Sequence, residues 1–129
     1  MLKDIQVKTA AREQMLDMTD DVTRALKGIG SGLATVFVRH TTAAITINEG
    51  ADPDVQDDIL ERLSKLAPRD GGYRHAEGNS DAHIKSSLLG SSVNVMVKDG
   101  RPILGTWQRI FFCEFDGPRT RSVSVQVIS

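Results

Sequence analysis

The feature that most constrains this chain is its second half, where short runs of β-branched and aromatic residues follow one another with only turn residues between them. Ser92 to Lys98, Pro102 to Gly105, Trp107 to Phe115 and Ser122 to Ile128 read as strands. Asp99-Gly100 reads as a two-residue hairpin turn, and Asp116-Gly117-Pro118 as the turn before the last strand. Connections this short carry no crossover helix, so neighbouring strands are expected to pair antiparallel.

The first half adds the helices. Leu2, Ile5 and Val7, with Met15 and Met18 after them, predict one or two N-terminal strands, with a helix as the alternative. Thr19 is placed to cap a short amphipathic helix: Asp20 and Asp21 suit its positive end, Val22, Leu26 and Ile29 recur at helical spacing, and Gly28 and Gly30 end it. From Leu33 to Asn48 the β-branched content predicts two strands, or one long bent strand, carrying His40-Thr41-Thr42 in the middle. Pro53 suits a first helical turn, Asp52 suits its cap, and Val55, Ile59, Leu60, Leu63 and Leu66 form an apolar face that stops at Pro68. A long polar loop then runs to Asp81, and a short helix from Ala82 to Leu89 closes at Gly90. Helices stand between groups of strands rather than after every strand, so the expectation is an α+β fold of mainly antiparallel, sandwich-like sheets with about three helices. A length of 129 residues, with no repeat or linker, predicts one domain spanning 1–129.

Composition excludes more than it names. Sixteen Lys and Arg against seventeen Asp and Glu give a net charge of -1, too weak a field to favour nucleic acid or an anionic membrane. The single cysteine, Cys113, lies among Phe111, Phe112 and Phe115, which predicts a packed structural thiol over a reactive one and fits a reducing compartment. Lys3, Asp4 and Lys8 stand where a signal peptide would be apolar, and no apolar run is long enough to span a bilayer, so a cytoplasmic location is expected.

The chemistry-bearing residues are few. The three histidines, His40, His75 and His83, all sit among polar or small residues. Three neutral imidazoles suffice as a first shell for a divalent metal with one open position, although no HExxH or CxxC spacing supports this and solvated or capping histidines are the alternative. Glu49 follows a strand with no helical reason for its charge and reads as a general base, a metal ligand or a solvated loop residue; Glu77 and Asp81 border the histidine loop. Ser86, Ser87, Ser91 and Ser92 flank Gly90, where hydroxyls and N–H groups suit an anion or simply cap and turn the chain. Gln108 and Arg109 offer planar donors to a phosphate, and Trp107 is expected in the core rather than as a ligand platform.

Taken in order, His40-Thr41-Thr42-Ala43-Ala44 with Asn48-Glu49, then Asp52-Pro53-Asp54, Tyr73-Arg74-His75, Gly78-Asn79, Asp81-Ala82-His83, Lys85-Ser86-Ser87-Leu88 with Gly90, Gly105-Thr106-Trp107-Gln108 and Glu114-Phe115-Asp116-Gly117-Pro118-Arg119 resemble the YjbQ family from about residue 2 to 128. Members are described as secondary thiamine-phosphate synthases, which join a hydroxymethylpyrimidine pyrophosphate to a thiazole phosphate. The resemblance implies a compact α+β homotrimer with the histidine motifs lining a shared cleft. It implies His40, His75 and His83 as ligands to a divalent metal, zinc first among the candidates, with magnesium as the companion of a pyrophosphate substrate. Glu49 and Asp81 would orient a ligand or move a proton. Arg74, Lys85 and Arg119 would stand near phosphate, with Thr41, Thr42, Asn48, Asn79, Ser86, Ser87 and Gln108 also touching the substrate. A non-catalytic metal- or metabolite-binding trimer and a metal-dependent hydrolase fit the same residues.

Overall fold

The computed structural model describes every residue, Met1–Ser129, and contains eight strands and three helices. In chain order they are β1 (Leu2–Lys8), β2 (Gln14–Asp17), α1 (Thr19–Ala25), β3 (Gly32–Val38), β4 (Ala43–Glu49), α2 (Pro53–Leu66), α3 (Ser80–Leu89), β5 (Ser92–Lys98), β6 (Arg101–Pro102), β7 (Gln108–Glu114) and β8 (Thr120–Ile128). All pairings are antiparallel and make two sheets, one of five strands in the order β1-β8-β3-β5-β6 and one of three in the order β2-β7-β4.

Alternation along the strands decides how the sheets stack. In β3, Ala34, Val36 and Val38 face inward opposite Val127, Val125 and Val123 of β8, and Ala34 and Val36 face Val95 and Val93 of β5. Ile45, Ile110 and Phe112 from the smaller sheet meet them, and Met18, Val22, Ala25 and Leu26 of the α1 region join the same core. Strand β7 is buried on both faces: Phe111 and Cys113, with Phe115 just past its end, point to the opposite side and pack with Ala44 under Leu63 of α2 and Ala82 of α3. The molecule therefore has three layers, large sheet, small sheet and helices, and the near-continuous apolar run of β7 follows from its place in the middle.

Several local expectations needed correction. Thr19 does not cap α1. Its N–H donates to the Asp17 carboxylate (3.0 Å) and its hydroxyl accepts from the Ile110 N–H (2.8 Å), so it ties the helix to β7. The helix ends at Ala25, earlier than the Ile29 spacing implied. Of the expected strand at Pro102 to Gly105 only Pro102 is in the two-residue β6, because Leu104 turns in against the core and Gly105 donates its N–H to the Gln108 side chain (2.8 Å). Trp107 falls in that turn and is 62% exposed, so it is not a core residue. By contrast Asp52 accepts from the Asp54 N–H (2.9 Å) as a helix cap with Pro53 behind it, and Asp99 (φ 53°) and Gly100 (φ 72°) both take the left-handed conformation that a tight hairpin turn requires.

Candidate functional site

The polar residues gather where the chain changes sheets. His40 lies in the segment 39–42 that leaves β3 of the large sheet for β4 of the small one. Gly90 and Ser91, between α3 and β5, are stitched to both strands: Val38 N–H donates to Ser91 C=O (2.7 Å) and Ile45 N–H to Gly90 C=O (3.1 Å). The crossing segment and the C-terminal part of α3 are thereby held side by side.

Three adjoining open hollows result, of about 490, 500 and 470 Å³. The first is lined by Arg39, His40, Thr41, Thr42, Ser91, Arg119 and Arg121 over the apolar floor of Phe37 and Val38. His40, Thr41 and Ser91 continue into the second, joined there by His83, Ser86 and Ser87. His83 continues into the third with Tyr73, Arg74, His75, Ser80 and Ile84. The His75 and His83 rings meet edge to face with centroids 5.5 Å apart.

Beneath the first hollow lies a buried ion pair. Glu114, fully buried, accepts from Arg121 Nε (2.9 Å) and Nη2, from the Thr9 hydroxyl (2.9 Å) and from the N–H groups of Phe115 and Asp116 (3.1 Å each). Arg121 Nη2 also donates to the Thr42 hydroxyl (2.9 Å). Burial pushes the Glu114 carboxyl up, but the Arg121 hydrogen bond, with those of Asp116 and Thr9, outweighs it and leaves the group below its ordinary range. The His40 imidazole is held below its ordinary pKa by burial and then by Arg121, with Glu114 opposing and Arg119 and Arg39 adding to the effect, which favours the neutral ring.

The expected site residues divide into three groups. His40, His83, Thr41, Thr42, Ser86, Ser87, Arg119, His75 and Arg74 line the three hollows, with Thr42 already accepting from Arg121 and Ser87 donating to the His83 carbonyl (2.9 Å). Asp81 and Lys85 lie behind the site in a structural network. Asp81 accepts from both terminal nitrogens of Arg12 (3.2 and 3.0 Å) and from Lys85 Nζ (3.0 Å), and Lys85 also donates to Glu13 (3.1 Å). Both are buried and neither lines any of the three hollows, so neither Lys85 as a phosphate contact nor Asp81 as a proton carrier reaches an occupant of them. Asn79 likewise donates to Asp116 (2.9 Å). The third group is remote. Asn48, Glu49 and Gln108 lie at the opposite end of the small sheet, with Glu49 paired to Gln108, roughly 20 Å along β4 from the histidines at about 3.3 Å per residue.

The expected three-imidazole metal shell is not assembled within one chain. His75 and His83 are neighbours, but Nε2 of His40 already accepts the Ser122 N–H at 2.9 Å, and no group of three His, Cys, Asp or Glu side chains is placed to hold a metal ion. Sequence reasoning missed Arg39, Arg121 and the importance of Glu114. A signal was present: Arg121 is in phase with the inward-facing Val123, Val125 and Val127, and Glu114 with Ile110 and Phe112, so each charge stood at a core position demanding a partner.

Fold and site together define a small two-sheet α+β protein with a histidine- and arginine-lined cleft at the sheet crossing. The chain belongs to the YjbQ family: the model for "UPF0047 protein YjbQ-like" matches residues 3–129. It is 52% identical to UPF0047 protein YugU of Bacillus subtilis, over 99% of both chains, and 52% identical to UPF0047 protein MJ1081 of Methanocaldococcus jannaschii, over 99% of this chain and 94% of that one. A crystal structure of an uncharacterised YjbQ/UPF0047 protein from Clostridium acetobutylicum superimposes with a TM-score of 0.94 at 52% identity, covering 98% of this chain and 99% of the other. Hypothetical protein APE1520 of Aeropyrum pernix gives 0.94 at 40% identity, covering 100% and 98%. No helix is long and apolar enough to cross a membrane.

Proposed function

We propose that the protein binds small phosphorylated metabolites in this cleft and acts on them as a transferase, joining a hydroxymethylpyrimidine pyrophosphate to a thiazole phosphate. One observation carries the reading: His40, Thr41 and Ser91 form a wall shared between two adjoining hollows, one rich in arginine and one, which His83 also lines, in serine hydroxyls, and this suits two phosphorylated partners held side by side. In the reaction the thiazole nitrogen forms a bond to the pyrimidine methylene carbon as the carbon–oxygen bond to pyrophosphate breaks, and the electron pair leaves with pyrophosphate. Guanidinium and hydroxyl donors near the departing oxygens stabilise that charge. A divalent cation belongs to the proposal as magnesium accompanying pyrophosphate, where it neutralises the leaving group; zinc at the His75–His83 pair would need further ligands from outside this chain. The resemblance also carries a homotrimer into the proposal. The outer face of the large sheet supports self-association, since Leu33 pairs in register with both Met96 and Ile128 and all three are exposed.

The test supplies both substrates with magnesium or zinc and follows thiamine phosphate and pyrophosphate. The parent is expected to form both in equal amounts, and His83→Ala to lose about a hundredfold in rate. Saturable binding of the substrates with no product under any cation would leave a binding module and end the transferase reading; release of inorganic phosphate instead would make it a hydrolase.

A further inference from the structure

The hydrogen bond from Ser122 N–H to His40 Nε2 (2.9 Å) fixes more than a ring position. An imidazole nitrogen that accepts must keep its lone pair, so in the neutral ring the proton resides on Nδ1, and Nδ1 is a donor that cannot ligate a metal. Nδ1 makes no hydrogen bond within the chain, and the residue lines the arginine hollow. The neighbouring guanidiniums are prepared in the same way. Arg121 spends Nε and Nη2 on Glu114 and Thr42 and leaves Nη1 without a protein partner. Arg119 spends Nε on the Asp116 backbone carbonyl (3.0 Å) and Nη2 on the Asp116 carboxylate (3.2 Å), and likewise leaves Nη1. Arg39 makes only a loose contact with Asp4 (3.6 Å). Arg121 and Arg119 are thus steered by carboxylates outside the hollow, and none of the nine residues that line it is acidic.

We infer that this hollow is a phosphate-monoester subsite in which His40, locked by the Ser122 amide as the Nδ1–H tautomer, donates to a phosphate oxygen beside Arg39, Arg119 and Arg121. A tetrahedral anion with several acceptor oxygens matches forked guanidinium donors converging with an imidazole N–H and the Thr41 and Ser91 hydroxyls. The neutrality of His40 under burial and the nearby arginines agrees with this, because a neutral ring donates without itself needing a counter-charge. The inference rests on the phosphometabolite reading above and deepens it: it assigns one phosphate to one hollow and removes His40 from the metal shell.

The experiment is NMR of protein carrying ¹⁵N-labelled histidine, titrated with inorganic phosphate and with methyl phosphate. The free protein is expected to show His40 protonated on Nδ1, and both ligands to shift that signal saturably, methyl phosphate at least as tightly as phosphate. Arg119→Leu and Arg39→Leu change side chains that are each 50% exposed, so folding is retained, and each is expected to weaken binding roughly tenfold, the loss of one charge-assisted hydrogen bond. Finding His40 protonated on Nε2, or binding that leaves His40 unshifted and is indifferent to Arg39 and Arg119, overturns the inference. Inorganic phosphate bound while methyl phosphate binds more weakly or is excluded overturns the monoester assignment. Expected shifts in a protein that forms no thiamine phosphate uphold the subsite while ending the transferase reading, so the two failures are distinguishable.

Discussion

Glu114 shows how one residue can hold the site in place without touching an occupant. It is the fully buried anchor of Arg121, and Arg121 in turn grips Thr42 on the segment that carries His40. Removing one partner of a buried pair leaves the other charge uncompensated, so Glu114→Gln is expected to cost about 3 kcal/mol in urea unfolding. The same pair sets an acid limit. Glu114 and Asp81 titrate lower in the folded protein than their ordinary 4.5 and 3.8, because hydrogen bonds from Arg121, and from Arg12 and Lys85, outweigh the opposing effect of burial. Their contribution is therefore complete above the unfolded values and drains away as pH falls through the lower folded ones. The urea midpoint of the parent is expected to fall between pH 5 and pH 3, at roughly the values where the unfolded carboxyls take up protons, and Glu114→Gln is expected to flatten that dependence. An unchanged pH profile in the variant would contradict the assignment.

At the scale of elements, α2 and α3 exchange the roles their sequences advertise. Helix α2 has the cleaner apolar face, with Val55, Ile59, Leu60, Leu63 and Leu66, yet only Leu63 is buried and Leu66 is 68% exposed. An open hollow of about 660 Å³ runs along Val55, Ile59 and Leu63. A helix so lightly covered opens easily, and its amides are expected to exchange with solvent well before those of β7 and β8, as mass-resolved hydrogen exchange would read. Helix α3 has no apolar stripe because its buried side carries Asp81, Lys85 and Ser86 with Ala82. Its existence was legible from Gly90 and the loop before it; its orientation was not, since what it buries is an ion network completed by Arg12 and Glu13 from far along the chain.

At the scale of the whole molecule, the uncovered face of the large sheet is where the assembly proposal is tested. Light scattering is expected to give three times the 14.1 kDa chain mass, and Leu33→Glu, which puts a charge between Met96 and Ile128 in the middle of the exposed patch, to shift it toward one copy. A single-copy mass for the parent would remove the trimer. The sequence by itself determined the strands at Ser92 to Lys98, Trp107 to Phe115 and Ser122 to Ile128, the hairpin at Asp99-Gly100, the capped helix at Asp52-Pro53 and the polarity of the histidine segments, because alternation, turn conformation and capping act between residues a few positions apart. Only the tertiary structure decided which strands share a sheet, that Glu49 and Gln108 lie far from the histidines, and that His40 meets an amide 82 positions away. A hydrogen bond across that separation depends on how β3 and β8 register, and no local pattern encodes the proton it places on the ring.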